Sequence, residues 1–358
     1  MFVFCTPMHP QTDLHSISDK QTLLTAMAKM GQPGHLRTLF LLDDEGKVTG
    51  TLTDGDIRRA MLGGVQLNEP AGTCGFKNFR FITVGRDASA QLSEWKALGI
   101  RVVPVLDGNG KLLRILDLNS VRAFMPVTAV IMAGGFGKRL QPLTDSVPKP
   151  MLPIKGIPIL EINIRRLLSF GVEHIYIAVN YLKEQIMDHF GDGSAMGCRI
   201  EYIHEDEPRG TIGALSELQG KTLRNDMLLF NADLLSNIDL DEMFRFYSSA
   251  QADFCMGSIP YKVNIPFAVL ELADHKITGI SEKPTYTYYS NAGFYLFKSA
   301  LLQKLPKSGF YNATDFVEKL IEEGLNMVQF PILGYWSDIG SLEEYHKAQD
   351  DIQYLDLY

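Results

Sequence analysis

Cysteine is scarce in this chain: Cys5, Cys74, Cys198 and Cys255 are spread over 358 residues, and no two stand in a CxxC spacing. That spacing excludes a local zinc knuckle and a dense disulfide framework, and it fits free thiols in a reducing compartment. No apolar run approaches the roughly 20 residues that a membrane-spanning helix requires. The first ten residues lack the basic start and long apolar stretch of a secretory leader, so the expectation is a cytoplasmic protein with no membrane partner. Positive charge is in deficit as well. The 34 Lys and Arg are outnumbered by 42 Asp and Glu, a formal net charge of -8. An acidic surface argues against nucleic acid as the main partner, while a local basic pocket can still hold a small anion. Low-complexity tracts are absent, and no hexapeptide repeat follows the last helical stretch, near 341–354. What remains is an ordinary globular composition, 46% hydrophobic and 21% charged, in a length that suits two or three domains.

The pattern changes near Phe124-Met125-Pro126-Val127, which predicts a first region at 1–124 and a second at 127–358. Before the change, the order helix, strand, turn, strand, helix occurs twice. The first copy has apolar runs at 38–42 and 48–52 about the turn Asp43-Asp44-Glu45-Gly46. The second has runs at 102–106 and 112–116 about Asp107-Gly108-Asn109-Gly110, with a short helix expected after Asp117. Such Asp- and Gly-rich turns between apolar runs signal hairpins, and the repetition signals a duplicated module. After Pro126, short buried-type runs at 128–132, 174–179, 199–203 and 227–230 alternate with helical stretches at 159–170 and 182–190. Alternation of this kind predicts an α/β sheet, with segments near 267–271 and 291–297 as antiparallel additions.

The strongest local signal is Ala133-Gly134-Gly135-Phe136-Gly137-Lys138-Arg139-Leu140, directly after the first of those runs. Glycines let the backbone approach a phosphate, and Lys138 and Arg139 add cationic donors beside it. Two familiar phosphate loops fail. The dinucleotide fingerprint GxGxxG meets Leu140 at its third glycine, which removes an NAD-dependent dehydrogenase. The Walker pattern GxxxxGK[ST] meets Arg139 after Lys138. Pro148-Lys149-Pro150 follows, with two prolines stiffening the chain about one lysine.

Taken with that segment, Gly134-Gly135-x-Gly137-x-Arg139-Leu140 resembles the signature of the sugar-phosphate nucleotidyltransferases. The resemblance continues in order through Glu207-Pro208-Arg209-Gly210-Thr211, Asn231-Ala232-Asp233, Glu282-Lys283-Pro284, Asn291-Ala292-Gly293 and Trp336-Ser337-Asp338, over roughly 230 residues. It departs from the usual pattern at Ala232, where glycine is commoner, and at Lys138, where Thr or Ser is frequent. The resemblance implies a Rossmann-like, mixed-sheet domain of the GT-A kind. It implies transfer of a nucleoside monophosphate from a nucleoside triphosphate to a sugar 1-phosphate, with release of pyrophosphate. Asp233 and Asp338 would hold Mg²⁺, and Arg139 and Lys149 would stabilise the charge on the transferring phosphoryl group. Ala133, Gly134, Gly135, Gly137, Lys138, Glu205, Gly210 and Thr211 would line the nucleotide; Glu282, Lys283 and Asn291 would hold the sugar phosphate. Guanine offers two adjacent donors that one carboxylate can accept, so Glu205 favours GTP, with uridylyl and cytidylyl transfer as alternatives. Glucosamine 1-phosphate leads among the sugars, ahead of mannose and heptose 1-phosphates, in a pathway to bacterial surface glycans. The alternative of another class is an inactive sensor that only binds nucleotide.

Gly50-Thr51-Leu52-Thr53-Asp54-Gly55-Asp56-Ile57-Arg58 resembles a CBS motif, and 1–124 as a whole resembles a tandem CBS α/β module of regulatory or oligomerising type. By that resemblance Thr53 and Asp56 would hold the ribose of an adenine or guanine nucleotide, and Arg58 or Arg59 would meet phosphate. Arg114-Ile115-Leu116-Asp117 lacks the same spacing, so one site at most is complete. A homo-oligomer is expected.

Overall fold

The computed structural model describes residues 10–83, 89–119 and 121–355. The chain divides into two compact units, Met1–Phe124 and Met125–Tyr358.

The first unit holds two three-stranded sheets of one topology. Ser16–Ser18 runs parallel to Thr38–Leu42, which is antiparallel to Val48–Thr53; Ile82–Thr83 runs parallel to Val102–Leu106, which is antiparallel to Leu112–Asp117. Both hairpins close in the same way. Asp43 Oδ1 accepts from the N–H groups of Glu45 and Lys47, and Asp107 Oδ1 accepts from those of Asn109 and Lys111. An aspartate that ties down its own turn is the reason these sequences punctuate strands. The two turns join where Val48 N–H donates to the Gly110 carbonyl at 3.0 Å. The helix expected after Asp117 does not form among the described residues: Leu118 and Asn119 make a turn.

The second unit is built on a seven-stranded sheet. Its order is Arg199–His204, His174–Val179, Val127–Met132, Asp226–Asn231, Thr285–Lys298, Phe254–Asn264, Met327–Pro331. Only Thr285–Lys298 runs against the others. The central strand Val-Thr-Ala-Val-Ile-Met is buried on both faces, as parallel strands covered by helices are. One core packs the sheet against helix Ala313–Glu322, with Phe254 stacked on Phe297 at 5.5 Å and Phe316 edge-on to Phe254. Another gathers Leu140, Ile159, Ile162, Leu235 and Ile339 beneath the glycine loop. Residues 267–271 do not join the main sheet as expected. They lead into a separate hairpin, Val269–Ala273 with Lys276–Ser281.

Candidate active site

Most motifs of the second unit collect at the carboxyl edge of its parallel strands. There Ala133 N–H donates to Ala178, Ala232 N–H to Met132 and Glu205 N–H to Val179, each at about 3 Å, so three strands continue their pairing into their loops. The chain leaves Val127–Met132 toward one side of the sheet and later returns on its other side as Asp226–Asn231. In open α/β sheets such a switch point opens a crevice for ligands.

The glycine loop is shaped by close contacts. A methyl group on Gly134 would stand 2.7 Å from Glu205 Oε2, and one on Gly137, with φ +62°, would stand 3.0 Å from both Lys149 and Thr144. The loop therefore lies on the Pro148-Lys149-Pro150 segment, and Thr144 Oγ1 donates to the Gly137 carbonyl at 2.9 Å. Leu140, which broke the dinucleotide pattern, is fully buried in the same core as Ile339. It anchors the loop rather than binding through it.

Asp233 and Asp338 are 105 positions apart and are brought together by a two-stranded ribbon, Leu234–Ser236 with Trp336–Asp338, in which Leu234 pairs with Asp338. Ile339 N–H donates to the Asp233 carbonyl at 3.1 Å. Lys149, buried, pairs with Asp233 and stands 3.7 Å from Asp338 Oδ1. Burial, and then the neighbouring Asp233 charge, push the Asp338 carboxyl above its ordinary range; Lys149 and Arg139 pull the other way. The Arg139 guanidinium itself lies 3.0 Å from where a side chain on Gly340 would be.

One oxygen of each aspartate, Asp233 Oδ1 and Asp338 Oδ1, is buried without a hydrogen-bond partner. Unpartnered buried carboxylate oxygens are costly unless something binds them. A hard divalent cation such as Mg²⁺ suits this pair, because it takes one or two carboxylates and completes its shell with phosphate oxygens and water. Among the described residues, no group of three or more His, Cys, Asp or Glu gathers at a metal-holding spacing.

Other expected site residues are already engaged. Glu205 is buried, which raises its carboxyl; Oε1 accepts from Arg209 N–H at 3.1 Å, and its carbonyl accepts from Asn180 Nδ2. It holds the 205–209 loop and offers Oε2 toward Gly134. The α-carbon of Gly210 faces the Tyr311 carbonyl, 2.5 Å from where a Cβ would be, and Thr211 Oγ1 accepts from Ala313 N–H. Both residues tie their loop to the 309–313 segment. Asn291 bonds Tyr295 and Gly293, whose α-carbon packs on the Asn231 amide. Glu282 and Lys283 are exposed at the outer end of a long ribbon and carry no bond to the carboxylate cluster.

Two groups escaped the sequence reading. Asn163, buried on helix Ile159–Ser169, donates both amide hydrogens, to the carbonyls of Ala232 and Leu234, at 3.2 and 3.0 Å. It clamps the backbone on either side of Asp233. An uncharged polar residue between two isoleucines, in Ile162-Asn163-Ile164, was the available signal. Phe136 packs against Tyr181 at 5.3 Å and lies 5.9 Å from Lys138 Nζ, which steers that lysine.

Residues 128–354 match the Nucleotidyl transferase family model. The chain belongs to that family. Residues 8–63 match the CBS domain model. A D-glycero-alpha-D-manno-heptose 1-phosphate guanylyltransferase of Aneurinibacillus thermoaerophilus is 30% identical over 63% of this chain and 98% of that protein. A mannose-1-phosphate guanylyltransferase of Mycobacterium tuberculosis is 34% identical over 63% of this chain and 64% of its own length. The bifunctional protein GlmU of Methanococcus maripaludis is 36% identical over 59% and 51%. The chain therefore spans less than two thirds of the last two. A Bacillus anthracis structure described as a glucose-1-phosphate thymidylyltransferase shares the fold, with a TM-score of 0.53 at 22% identity over 64% of this chain and 96% of that one. No described helix is long and apolar enough to cross a membrane.

In the N-terminal unit, Thr53 and Asp56 are bonded to each other. They form a capping box on helix Asp54–Leu62, with Thr53 Oγ1 donating to Asp56 Oδ2 at 2.6 Å. Asp56 also pairs with Arg59, while Arg58 is exposed. A cleft of about 520 Å³ opens beside them, lined by Met27, Met30, His35, Arg37 and Asp54 among others.

Proposed function

We propose that this chain transfers a nucleoside monophosphate to a sugar 1-phosphate. The observation that carries the reading is the pair of unpartnered oxygens on Asp233 and Asp338, with the Lys149 ammonium beside them under a glycine loop. Mg²⁺ held there would neutralise the triphosphate and draw charge from the departing pyrophosphate. The remaining work falls to the chain. Lys149 and Arg139 face the phosphates and offset the repulsion between two anionic reactants. Gly134, Gly135 and Gly137 allow close backbone approach, with Ala133 and Lys138 on either side. The sugar phosphate oxygen forms a bond to the α-phosphorus while the α–β anhydride bond breaks, a displacement governed by positioning. Asn291, Glu282 and Lys283 are assigned to the sugar phosphate; for the last two, the ribbon that carries them must present them to the crevice.

GTP is the proposed donor. Glu205 Oε2 beside Gly134 supplies an acceptor for guanine, and the heptose and mannose relatives are named as guanylyltransferases. Those names also favour mannose or heptose 1-phosphate as acceptor, against the glucosamine 1-phosphate expected from the sequence; in each case the product suits surface-glycan synthesis in the cytoplasm. The N-terminal unit is assigned a regulatory adenine or guanine nucleotide, with Arg37 and the helix start at Asp54 facing the cleft, and a role in homo-oligomer formation. The test is pyrophosphate release with Mg²⁺, crossing GTP, UTP, CTP and dTTP with glucosamine, mannose and heptose 1-phosphates, with and without AMP, ATP or GMP. Turnover with GTP and one sugar supports the reading. Nucleotide binding with no turnover in any combination replaces it with the sensor.

A further inference from the structure

The two cations of the crevice are held in different ways. Lys149 is buried and aimed by charge, paired with Asp233 and with Asp338 beyond. Arg139 is exposed, and among the described residues it makes no salt bridge. A long exposed side chain samples many rotamers unless a surface holds it. The root of Arg139 is fixed, because Leu140 beside it is fully buried. Its far end meets Gly340. A Cβ built on Gly340 would have its three nearest neighbours in one group: Arg139 Nη2 at 3.0 Å, Cζ at 3.3 Å and Nη1 at 3.3 Å. Such similar distances place the fork of the guanidinium, and not a single nitrogen, on the α-carbon.

A chain needs glycine where φ is positive or where a side chain has no room. Gly340 has no positive φ, unlike Gly137 and Gly210. The reason left is room, and the group that fills it is Arg139. The floor is held on both sides. Gly340 N–H donates to Glu344 Oε2 at 3.0 Å and to the Asp338 carbonyl at 2.8 Å. Ser341 caps helix Leu342–Asp351, and Ile339 is fully buried with its N–H on the Asp233 carbonyl. A side chain added at position 340 therefore displaces the arginine and leaves the backbone in place.

Given the transferase reading, we infer that Gly340 is a positioning residue: its bare α-carbon is the seat that directs Arg139 at the triphosphate. The guanidinium is planar and weakly hydrated, so it rests on backbone at little cost and keeps its N–H donors for an anion. The seat lies two positions after Asp338, so one short segment sets the spacing between a carboxylate and a guanidinium of the crevice. Misplacing a positioned group by about 1 Å costs about 10²-fold in rate. One methyl group shifts the fork by less, and a loss of about tenfold is expected.

Gly340→Ala, Arg139→Ala and the double variant are compared with the wild type in a double-mutant cycle. It is read as kcat/KM for GTP with Mg²⁺ and the sugar 1-phosphate that turns over, and as GTP affinity by calorimetry with Mg²⁺ and no acceptor. Gly340→Ala should keep the wild-type melting temperature and lower kcat/KM about tenfold. The same substitution should cost nothing further once Arg139 is alanine. A merely structural role would carry its full loss into the double variant, and that result overturns the inference. Early melting of Gly340→Ala, or wild-type kinetics in it, does the same. A wild type that binds GTP but turns over no sugar 1-phosphate refutes the transferase reading instead. The affinity cycle then decides the seat alone, with weakening by Gly340→Ala expected only where Arg139 is present; GTP affinity indifferent to Arg139→Ala sinks the idea.

Discussion

The two units treat their polar motifs in opposite ways. In the N-terminal unit, Thr53 and Asp56 spend their hydrogen-bonding capacity on each other and on the helix start. In the transferase unit, Asp233 and Asp338 are brought together from distant segments and each keeps a buried oxygen without a hydrogen-bond partner. A motif whose members satisfy one another is stable without a ligand and says little about what binds. A motif assembled at structural cost, with capacity left over, is a candidate binding site. The contrast makes Asp233 and Asp338 the residues whose loss should cost activity and not stability, and Thr53 the reverse.

The largest effect should follow removal of the charge at the crevice. Asp233→Asn is expected to lower kcat by about 10²–10³, the scale on which a preorganised electrostatic group contributes. Thermal stability should change little, because Asp338 stays within reach of the Lys149 ammonium and keeps that buried charge compensated. Steady-state kinetics and a melting curve on one preparation check both halves; a variant that unfolds early instead would make Asp233 a structural residue. Next comes the clamp behind it. Asn163→Leu leaves the carbonyls of Ala232 and Leu234 without their buried donor, which should cost about 2–3 kcal/mol of stability. A tenfold loss of kcat should accompany it at saturating Mg²⁺, with rescue by Asn163→Gln no better than partial. Unchanged kinetics would separate Asn163 from the positioning of Asp233.

The contrast also explains what the sequence disclosed. The transferase motifs are local strings, each with its own backbone demand: glycine where the loop touches Glu205 and Lys149, proline about Lys149, an aspartate at a strand end. Their strands are buried and apolar, so the runs at 128–132, 174–179 and 227–230 read clearly and fall inside observed strands. The pairing of Leu234–Ser236 with Trp336–Asp338 did not read, because three residues carry no period. Of the long ribbon, only 291–297 was legible, as the antiparallel addition it proves to be. Its outer half is amphipathic and exposed, with proline and asparagine interrupting the alternation, and a sheet face with no cover in its own unit imitates a loop. For Gly210 and Thr211, which resemble nucleotide contacts, the structure adds their packing against Tyr311 and their bond to Ala313. In the N-terminal unit the first strand of each repeat, three and two residues long, was missed for want of length.

A third test lies in the N-terminal unit. His15 is buried with Nδ1 unpartnered and its ring 4.3 Å from that of His35. Burial, then the neighbouring His35, lower its pKa to about 4; Lys29 and Arg101 act in the same direction and Asp117 opposes them. The folded unit thus keeps His15 neutral where the unfolded chain, with a value near 6.5, takes up a proton. Stability is complete above pH 6.5 and is lost as the pH falls from there toward 4, by on the order of 1–2 kcal/mol. Urea titrations at pH 7 and 5, followed by Trp95 in a Trp336→Phe background, should show the midpoint falling. A His15→Gln variant should flatten that dependence.

The smallest effect returns to the capping box. Thr53→Ala removes the acceptor for Asp56 N–H and the hydroxyl that donates to the Asp56 carboxylate, at the first turn of helix Asp54–Leu62. Loss of a helix cap costs about 1 kcal/mol. The Trp95 transition should shift by that amount, while turnover without effector stays at the wild-type value, since no transferase group is touched. The comparison sharpens when nucleotide is added. If AMP, ATP or GMP protects the wild-type N-terminal unit against urea and fails to protect Thr53→Ala, the threonine serves the cap and a ligand together. Equal protection of both proteins would assign the cleft beside it, with Arg37 and Asp54, as the place where nucleotide binds, and would leave Thr53 a residue of the helix alone.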